Sequence, residues 1–267
     1  LVRSRGLGDV YKRQKYDGAM YHHIDVHFGP DPEGDLKLME AEDPSDPSTW
    51  RWTEADKLAL KLIREAHKRN IKVIFDGVFN HIGITSFAFQ DLIKHGKESK
   101  YKDWFTVTDW ATPGMLGAPF TYEGWYGVAE LPELREDENG IVEGPKEYIF
   151  HATRRWMDPD GDGNPGDGID GWRLDVAFCV GHPFWKQWRN HVKSINPQAY
   201  LTAEIIDNTD EILPYLQGDE FDAVMNYNFA FIAHKYFVNS RERISTTQFN
   251  RELNELLNAY SLETLYI

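Results

Sequence analysis

Arg173 and Asp175 stand two residues apart in GIDGWRLDVA, residues 168–177, where Ile169, Trp172, Leu174, Val176 and Ala177 supply apolar surface. Side chains alternate faces along a strand, so this spacing points a guanidinium and a carboxylate the same way. Such a pair is either a buried ion pair with no chemical role or a cation that keeps a carboxylate ionised for chemistry. A second group lies just upstream in DPDGDGNPGDG, residues 158–168. Asp158, Asp160, Asp162 and Gly163 match positions 1, 3, 5 and 6 of an EF-hand-like calcium loop, and Asn164 takes position 7. Ile169 stands where the bidentate glutamate belongs. The loop reads as a calcium site on Asp158, Asp160, Asp162 and Asn164, with an ordinary Gly/Asp/Pro turn as the alternative.

Both groups need elements to position them, and strand and helix patterns alternate from Arg51 onward. Thr53 caps a helix with acidic residues in its first turn; Leu58, Leu62, Ile63 and Ala66 form its apolar stripe, and Asn70 ends it. KVIFDGVFN, residues 72–80, is a continuous apolar strand of the doubly covered parallel kind. Residues 82–144 break the rhythm, being rich in Gly, Pro, Trp and Tyr with little helical period, which marks a lid or inserted subdomain. A helix restarts in GPKEYIFHATRRWM with Pro145 near its first turn. After the opening strand come a helix over 183–195 with Phe184, Trp188 and Val192 on one face, the strand AYLTAEI, a short helix DEILPYLQ and the strand DAVMNY. Helical pattern then runs to Ile267. This alternation predicts a parallel α/β fold. Each strand carries polar residues at its C-terminal end, where βα-barrel enzymes place catalytic groups.

The totals narrow the partners. A chain of 267 residues that is 41% hydrophobic can bury a sizeable core. A net charge of −14 argues against nucleic acid or an anionic membrane as partner, since both require basic surface. Aromatics make up 14% and include nine Trp; most pack in a core, and some suit the C–H faces of sugars. Cys179 is the single cysteine, so no internal disulfide forms and the compartment stays unassigned. No apolar run reaches membrane-spanning length. Residues 1–14, LVRSRGLGDVYKRQ, are basic, lack a signal-peptide h-region and do not match the acidic chain behind them; they read as a non-native leader.

From Lys15 onward the chain resembles the α-amylase family, glycoside hydrolase family 13, and within it the cyclomaltodextrinase, neopullulanase and maltogenic-amylase branch. Three signatures carry the resemblance, in order: DGVFNH at 76–81, GWRLD at 171–175 and LTAEI ending a strand at Glu204, with YKDWF at 101–105 placed as in that branch. The resemblance implies a partial (β/α)8 barrel, about its strands three to six, over 15–81 and 145–267, with a subdomain at 82–144 inserted after strand three. It implies a retaining glycosidase acting on α-1,4 bonds of cyclodextrins, maltooligosaccharides, pullulan or starch. Asp175 would be the nucleophile and Glu204 the general acid/base. Arg173 on the same face would lower the Asp175 pKa, and Ala203 and Ile205 around Glu204 would favour its protonated form. His81 would donate to a sugar hydroxyl, Tyr16 would stack on a sugar ring, Asp17 would bond a hydroxyl, and Asp76 would support Arg173. Trp104, Trp110, Trp125 and Tyr126 would line the cleft, at least one as a sugar platform. No organic cofactor is implied, and the parent protein would be a homodimer in the manner of its branch.

One departure stands out. The family needs a third carboxylate, an Asp following His near strand seven, and nothing after Glu204 matches it. The expectation is a fragment whose third catalytic Asp lies beyond Ile267, inactive and poorly soluble when expressed alone. Another α-amylase-family enzyme, such as an α-glucosidase or glucan transferase, shares these signatures. A non-catalytic amylase-like binding subunit would lack the paired carboxylates kept here.

Overall fold

The structure, a computed structural model, describes residues 16–239, 241 and 243–261; the leader expected at 1–14 lies outside the described residues. Helices α1 (Pro32–Glu40) and α2 (Glu54–His67) precede strand β1 (Ile74–Gly77). Then come helix α3 (Phe87–His95) and two antiparallel ribbons, β2 (Val107–Asp109) with β3 (Thr121–Tyr122) and β4 (Glu136–Asp137) with β5 (Gly140–Ile141). Helix α4 (Glu143–Met157) leads to β6 (Gly171–Leu174), α5 (His182–Ile195) and β7 (Tyr200–Ala203). The chain ends through α6 (Thr209–Ile212), β8 (Ala223–Val224), α7 (Tyr227–Phe237) and α8 (Thr246–Ala259).

Strands β1, β6, β7 and β8 form one parallel sheet in that order. Their register brings the C-terminal ends level: Asp76 pairs with Arg173, Arg173 with Thr202, and Ala203 with Val224. The ladder continues past the strand ends. Asp175 N–H donates to the Gly77 carbonyl at 2.9 Å and Glu204 N–H to the Leu174 carbonyl at 2.8 Å. Only glycine fits at 171, because a Cβ there would lie 2.0 Å from the Tyr200 carbonyl oxygen.

Packing on this sheet follows the α5 pattern, with Phe184, Trp188 and Val192 fully buried. Trp156, Trp185 and Trp188 join them, and each indole N–H finds an acceptor: Tyr21 O at 3.0 Å, Ala177 O at 2.9 Å and Thr153 Oγ1 at 3.0 Å. The segment between β1 and α4 folds back on the chain leaving β1, through Ile82 N–H to Pro132 O and Leu134 N–H to Asn80 O. Phe89 and Leu92 of α3, with Phe105 and Phe120, belong to the same hydrophobic cluster as the sheet. Ser86 caps α3, a helix in a stretch whose sequence shows little helical period.

Three expected details differ. Helix α2 starts on a reciprocal capping box between Thr53 and Asp56, but it buries Ala55, Leu60 and Ile63 and leaves Leu58 and Leu62 exposed. Asp56 sets this rotation, since its carboxylate accepts from the Ile24 N–H at 2.8 Å and bonds His23 Nδ1 at 2.7 Å. Strand β1 is shorter than 72–80 and lies at the sheet edge rather than being doubly covered, with Ile74 and Asp76 exposed. The strand expected through MNY stops at Val224, because Asn226 accepts from the Phe229 N–H and starts α7 at Tyr227. Among the described residues no helix is long and apolar enough to cross a membrane.

Burial pushes His22, His81 and His191 each down to about 4 from an ordinary 6.5. Between those values the unfolded chain binds protons that the native state does not, so stability rises with pH across that window. Asp175, pushed up to about 6 from 3.8, acts in the opposite sense, as do Glu133, Glu136, Asp167 and Glu220, all raised by burial. The histidine contribution is therefore read group by group: the ring Cε1–H shifts of His22, His81 and His191 are expected to stay at their neutral values down to about pH 4, and titration near 6.5 would contradict neutral buried histidines.

Candidate active site

Arg173 leaves the face of β6 between two strand ends and meets three carboxylates. One terminal nitrogen (Nη1) donates to Asp76 Oδ1 and Asp175 Oδ1, both at 2.7 Å, and the other (Nη2) donates to Glu204 Oε2 at 2.5 Å. The spacing seen in the sequence thus yields a real contact between Arg173 and Asp175, and the parallel register adds Asp76 from β1 and Glu204 from the end of β7. Glu204 Oε2 also accepts from Val176 N–H at 3.3 Å, and its Oε1 accepts from the Tyr227 hydroxyl at 2.8 Å. Val176 sits in the left-handed region (φ 39), an unfavourable place for a β-branched residue, and this turn aims its N–H at Glu204.

The charges differ from the sequence expectation. Burial pushes the Asp175 carboxyl up to about 6, outweighing Arg173. Glu204 is also raised by burial, but the Tyr227 hydroxyl, the Val176 N–H and Arg173 outweigh that and hold it below its ordinary value. Two physical reasons apply. One guanidinium is divided among three carboxylates, so Asp175 receives only part of it. Glu204 is not in an apolar setting, since its neighbours in space are donors rather than Ala203 and Ile205. Burial thus favours the protonated form of Asp175, and the donors around Glu204 favour its ionised form. Burial opposes the Arg173 charge, but Asp76 and Asp175 prevail and raise its pKa, so it stays cationic.

His81 is 1% exposed. Its Nε2–H donates to the Tyr16 carbonyl and its Nδ1 accepts from the Asn80 amide, each at 3.1 Å, and its ring stacks on Trp125 at 5.5 Å. Both ring nitrogens are thus engaged by the protein, which fits a neutral ring. Tyr16 is 41% exposed and lies 5.8 Å from the Arg173 guanidinium, at the edge of the carboxylate cluster. Asp17 lines a neighbouring cavity with His23, Ile24 and Thr85 rather than the cluster. Of the aromatics assigned to the cleft, Trp104 is buried against Phe87 and Tyr148, and Trp110 packs on Phe120. Trp125 and Tyr126 remain beside His81, with Tyr126 exposed.

In the loop 158–168 each of the four side chains expected as ligands accepts a backbone N–H: Asp158 from Gly163, Asp160 from Asp162, Asp162 from Asn164 and Asn164 from Gly166. Asp167 joins two of them, since one carboxylate oxygen from each of Asp158, Asp160 and Asp167 lies within 4.8 Å of the other two. The chain curls through Gly161 and Gly163 at positive φ, which brings residue 167 back toward 158. Burial, then the charges of Asp160 and Asp158, push the Asp167 carboxyl up.

A family model, the alpha amylase catalytic domain, aligns with residues 53–264. The chain belongs to the α-amylase family. It is 38% identical to neopullulanase 2 of Thermoactinomyces vulgaris over 90% of this chain and 34% of that protein. It is 34% identical to a cyclomaltodextrinase of Thermoanaerobacter pseudethanolicus over 92% of this chain and 36% of that protein. Among solved structures, a cyclomaltodextrinase superposes with a TM-score of 0.69 at 33% identity, covering 92% of this chain and 35% of that one. A debranching enzyme from Nostoc punctiforme superposes at 0.71 with 29% identity, covering 94% and 47%. The chain spans about a third of the length of the curated relatives it matches.

Tyr227 and Val176 are site residues that the family signatures do not include. Tyr227 carries a signal, a polar residue just past a strand end, although the pattern DAVMNY predicts strand where the structure begins α7. Val176 carries none, because backbone conformation decides its role. Replacing Arg173 by Met would leave three carboxylates facing one another; a loss of roughly 2–3 kcal/mol is expected at pH 7.5, shrinking at pH 4.5 as protonation relieves the repulsion. Urea denaturation at the two pH values checks this, and equal losses at both would contradict the shared-cation arrangement.

Proposed function

We propose that the protein carrying this chain is a retaining α-glucan hydrolase that cleaves α-1,4 bonds in cyclodextrins, maltooligosaccharides, pullulan or starch. The observation that carries the reading is that Asp175 and Glu204, at the ends of neighbouring strands, meet the same guanidinium. Retaining hydrolysis needs two such groups, one carboxylate and one carboxylic acid flanking the glycosidic bond, about 5–5.5 Å apart. The relatives named neopullulanase and cyclomaltodextrinase support the substrate class. In this reading β1, β6, β7 and β8 are strands three to six of a (β/α)8 barrel, and residues 82–144 are its inserted subdomain.

The mechanism follows from the contacts. With a sugar bound between them, Asp175 is the carboxylate and Glu204 carries the proton. Asp175 then attacks the anomeric carbon while Glu204 gives its proton to the departing glycosidic oxygen. Glu204, now a carboxylate, takes a proton from water, and the resulting hydroxide displaces Asp175 with net retention. Tyr227 and Val176 N–H steady the ionised Glu204 between these steps. Arg173 stays with Asp175 and Asp76 throughout. Tyr16 offers a ring face to the sugar, and His81 reaches a hydroxyl by giving up the Tyr16 carbonyl.

The test is turnover of β-cyclodextrin, maltotriose and pullulan by the full-length protein carrying this chain, with the product anomer read by NMR. The α-anomer is expected first. Glu204→Gln should lower kcat by about 10²–10⁴, and Asp175→Asn by at least as much. Inversion of the anomer, or turnover retained in either variant, would overturn the assignment.

A further inference from the structure

The loop between α4 and β6 takes no part in the chemistry described, yet it concentrates negative charge. Oxygens from Asp158, Asp160 and Asp167 converge within 4.8 Å. Asp158 is only 6% exposed, and its Oδ1 has no hydrogen-bond partner; Asp167 Oδ1 is likewise shut off from solvent and unpartnered. A buried carboxylate oxygen without a donor is costly, and two within one acidic cluster point to a cation as the missing partner.

We propose that Asp158, Asp160 and Asp167 together bind one calcium ion. The converging donors are all carboxylate oxygens, the hard set that calcium favours, with no nitrogen or sulfur donor among them. Calcium tolerates irregular geometry, which suits a loop that turns through Gly161 (φ 72) and Gly163 (φ 83), whereas magnesium demands a near-ideal octahedron. Asp162 and Asn164 hold the curl by accepting backbone N–H groups. Asp167 closes the ring of ligands in place of the glutamate that an EF-hand loop supplies from position 12.

The site sits at a structural junction. Asp158 caps the end of α4, and the far side of the loop runs into β6, with Ile169 N–H donating to the Trp156 carbonyl at 2.9 Å. A bound ion would clamp the helix end to the strand that carries Arg173 and Asp175. Its effect is on the rigidity of that strand, not on the chemical step.

The test is isothermal titration of the full, chelator-stripped chain with calcium, then with magnesium, alongside thermal melts. One calcium per chain with a Kd below about 1 mM, a melting temperature raised by several degrees and magnesium at least tenfold weaker are expected. Asp158→Asn and Asp167→Asn should each weaken binding at least tenfold. Asp162→Asn, whose Oδ1 still accepts from Asn164 N–H, should change it only a few-fold. In EDTA the first two variants should melt no lower than the unmodified chain, because each removes a repelling charge. No calcium binding by the unmodified chain, binding unaffected by Asp158→Asn and Asp167→Asn, binding lost in Asp162→Asn but kept in Asp167→Asn, or either ligand variant destabilised in EDTA would each overturn the proposal.

Discussion

One guanidinium divided among three carboxylates is the constraint on which the site depends. Arg173 is half-buried between Asp76, Asp175 and Glu204, and each of those groups arrives from a different strand end or from the residue just past it. Only a parallel sheet in tight register delivers them together. An antiparallel neighbour would send one carboxylate to the opposite edge. Gly171 matters for the same reason: it lets β6 approach the Tyr200 carbonyl closely enough to hold the register that places Arg173 opposite Thr202.

Because the cation is shared, it does not dictate where the proton goes. Burial decides that for Asp175, and specific donors decide it for Glu204. The hydroxyl of Tyr227, at the first turn of α7, and the N–H of Val176, in a strained turn, both face Glu204. The backbone strain at Val176, of order 1–3 kcal/mol, persists because the ladder bonds on both sides fix that turn: Asp175 N–H to Gly77 O and Ala177 N–H to Glu204 O.

Much of this was legible in the sequence where a local rule applied. Two residues apart on a strand means the same face, and Arg173 does touch Asp175. The periodicity of α5 gave its buried Phe184, Trp188 and Val192, and Thr53 marked the start of α2. What failed were expectations that tertiary contacts override. The buried Asp56, tied to His23 and the Ile24 N–H, rotates α2 so that Leu58 and Leu62 face out. The sequence pairs Arg173 with Asp175 and gives Asp76 as its support, but it does not show that the register also brings Glu204 onto the same guanidinium. In the acidic loop the EF-hand spacing does not show that Asp167 returns through two glycines to meet Asp158 and Asp160.

The central claim is that Asp175 and Glu204 are held under one guanidinium, with burial raising the first and its donors lowering the second. Titration of the side-chain carboxyl carbons of both residues by ¹³C NMR, in the chain without substrate, tests it most directly. The account predicts coupled titration, with a step near 6 that appears mainly at Asp175 and is felt at Glu204, and with Glu204 mostly ionised below its ordinary range. Two independent curves, each centred on the ordinary value for its residue, would contradict it.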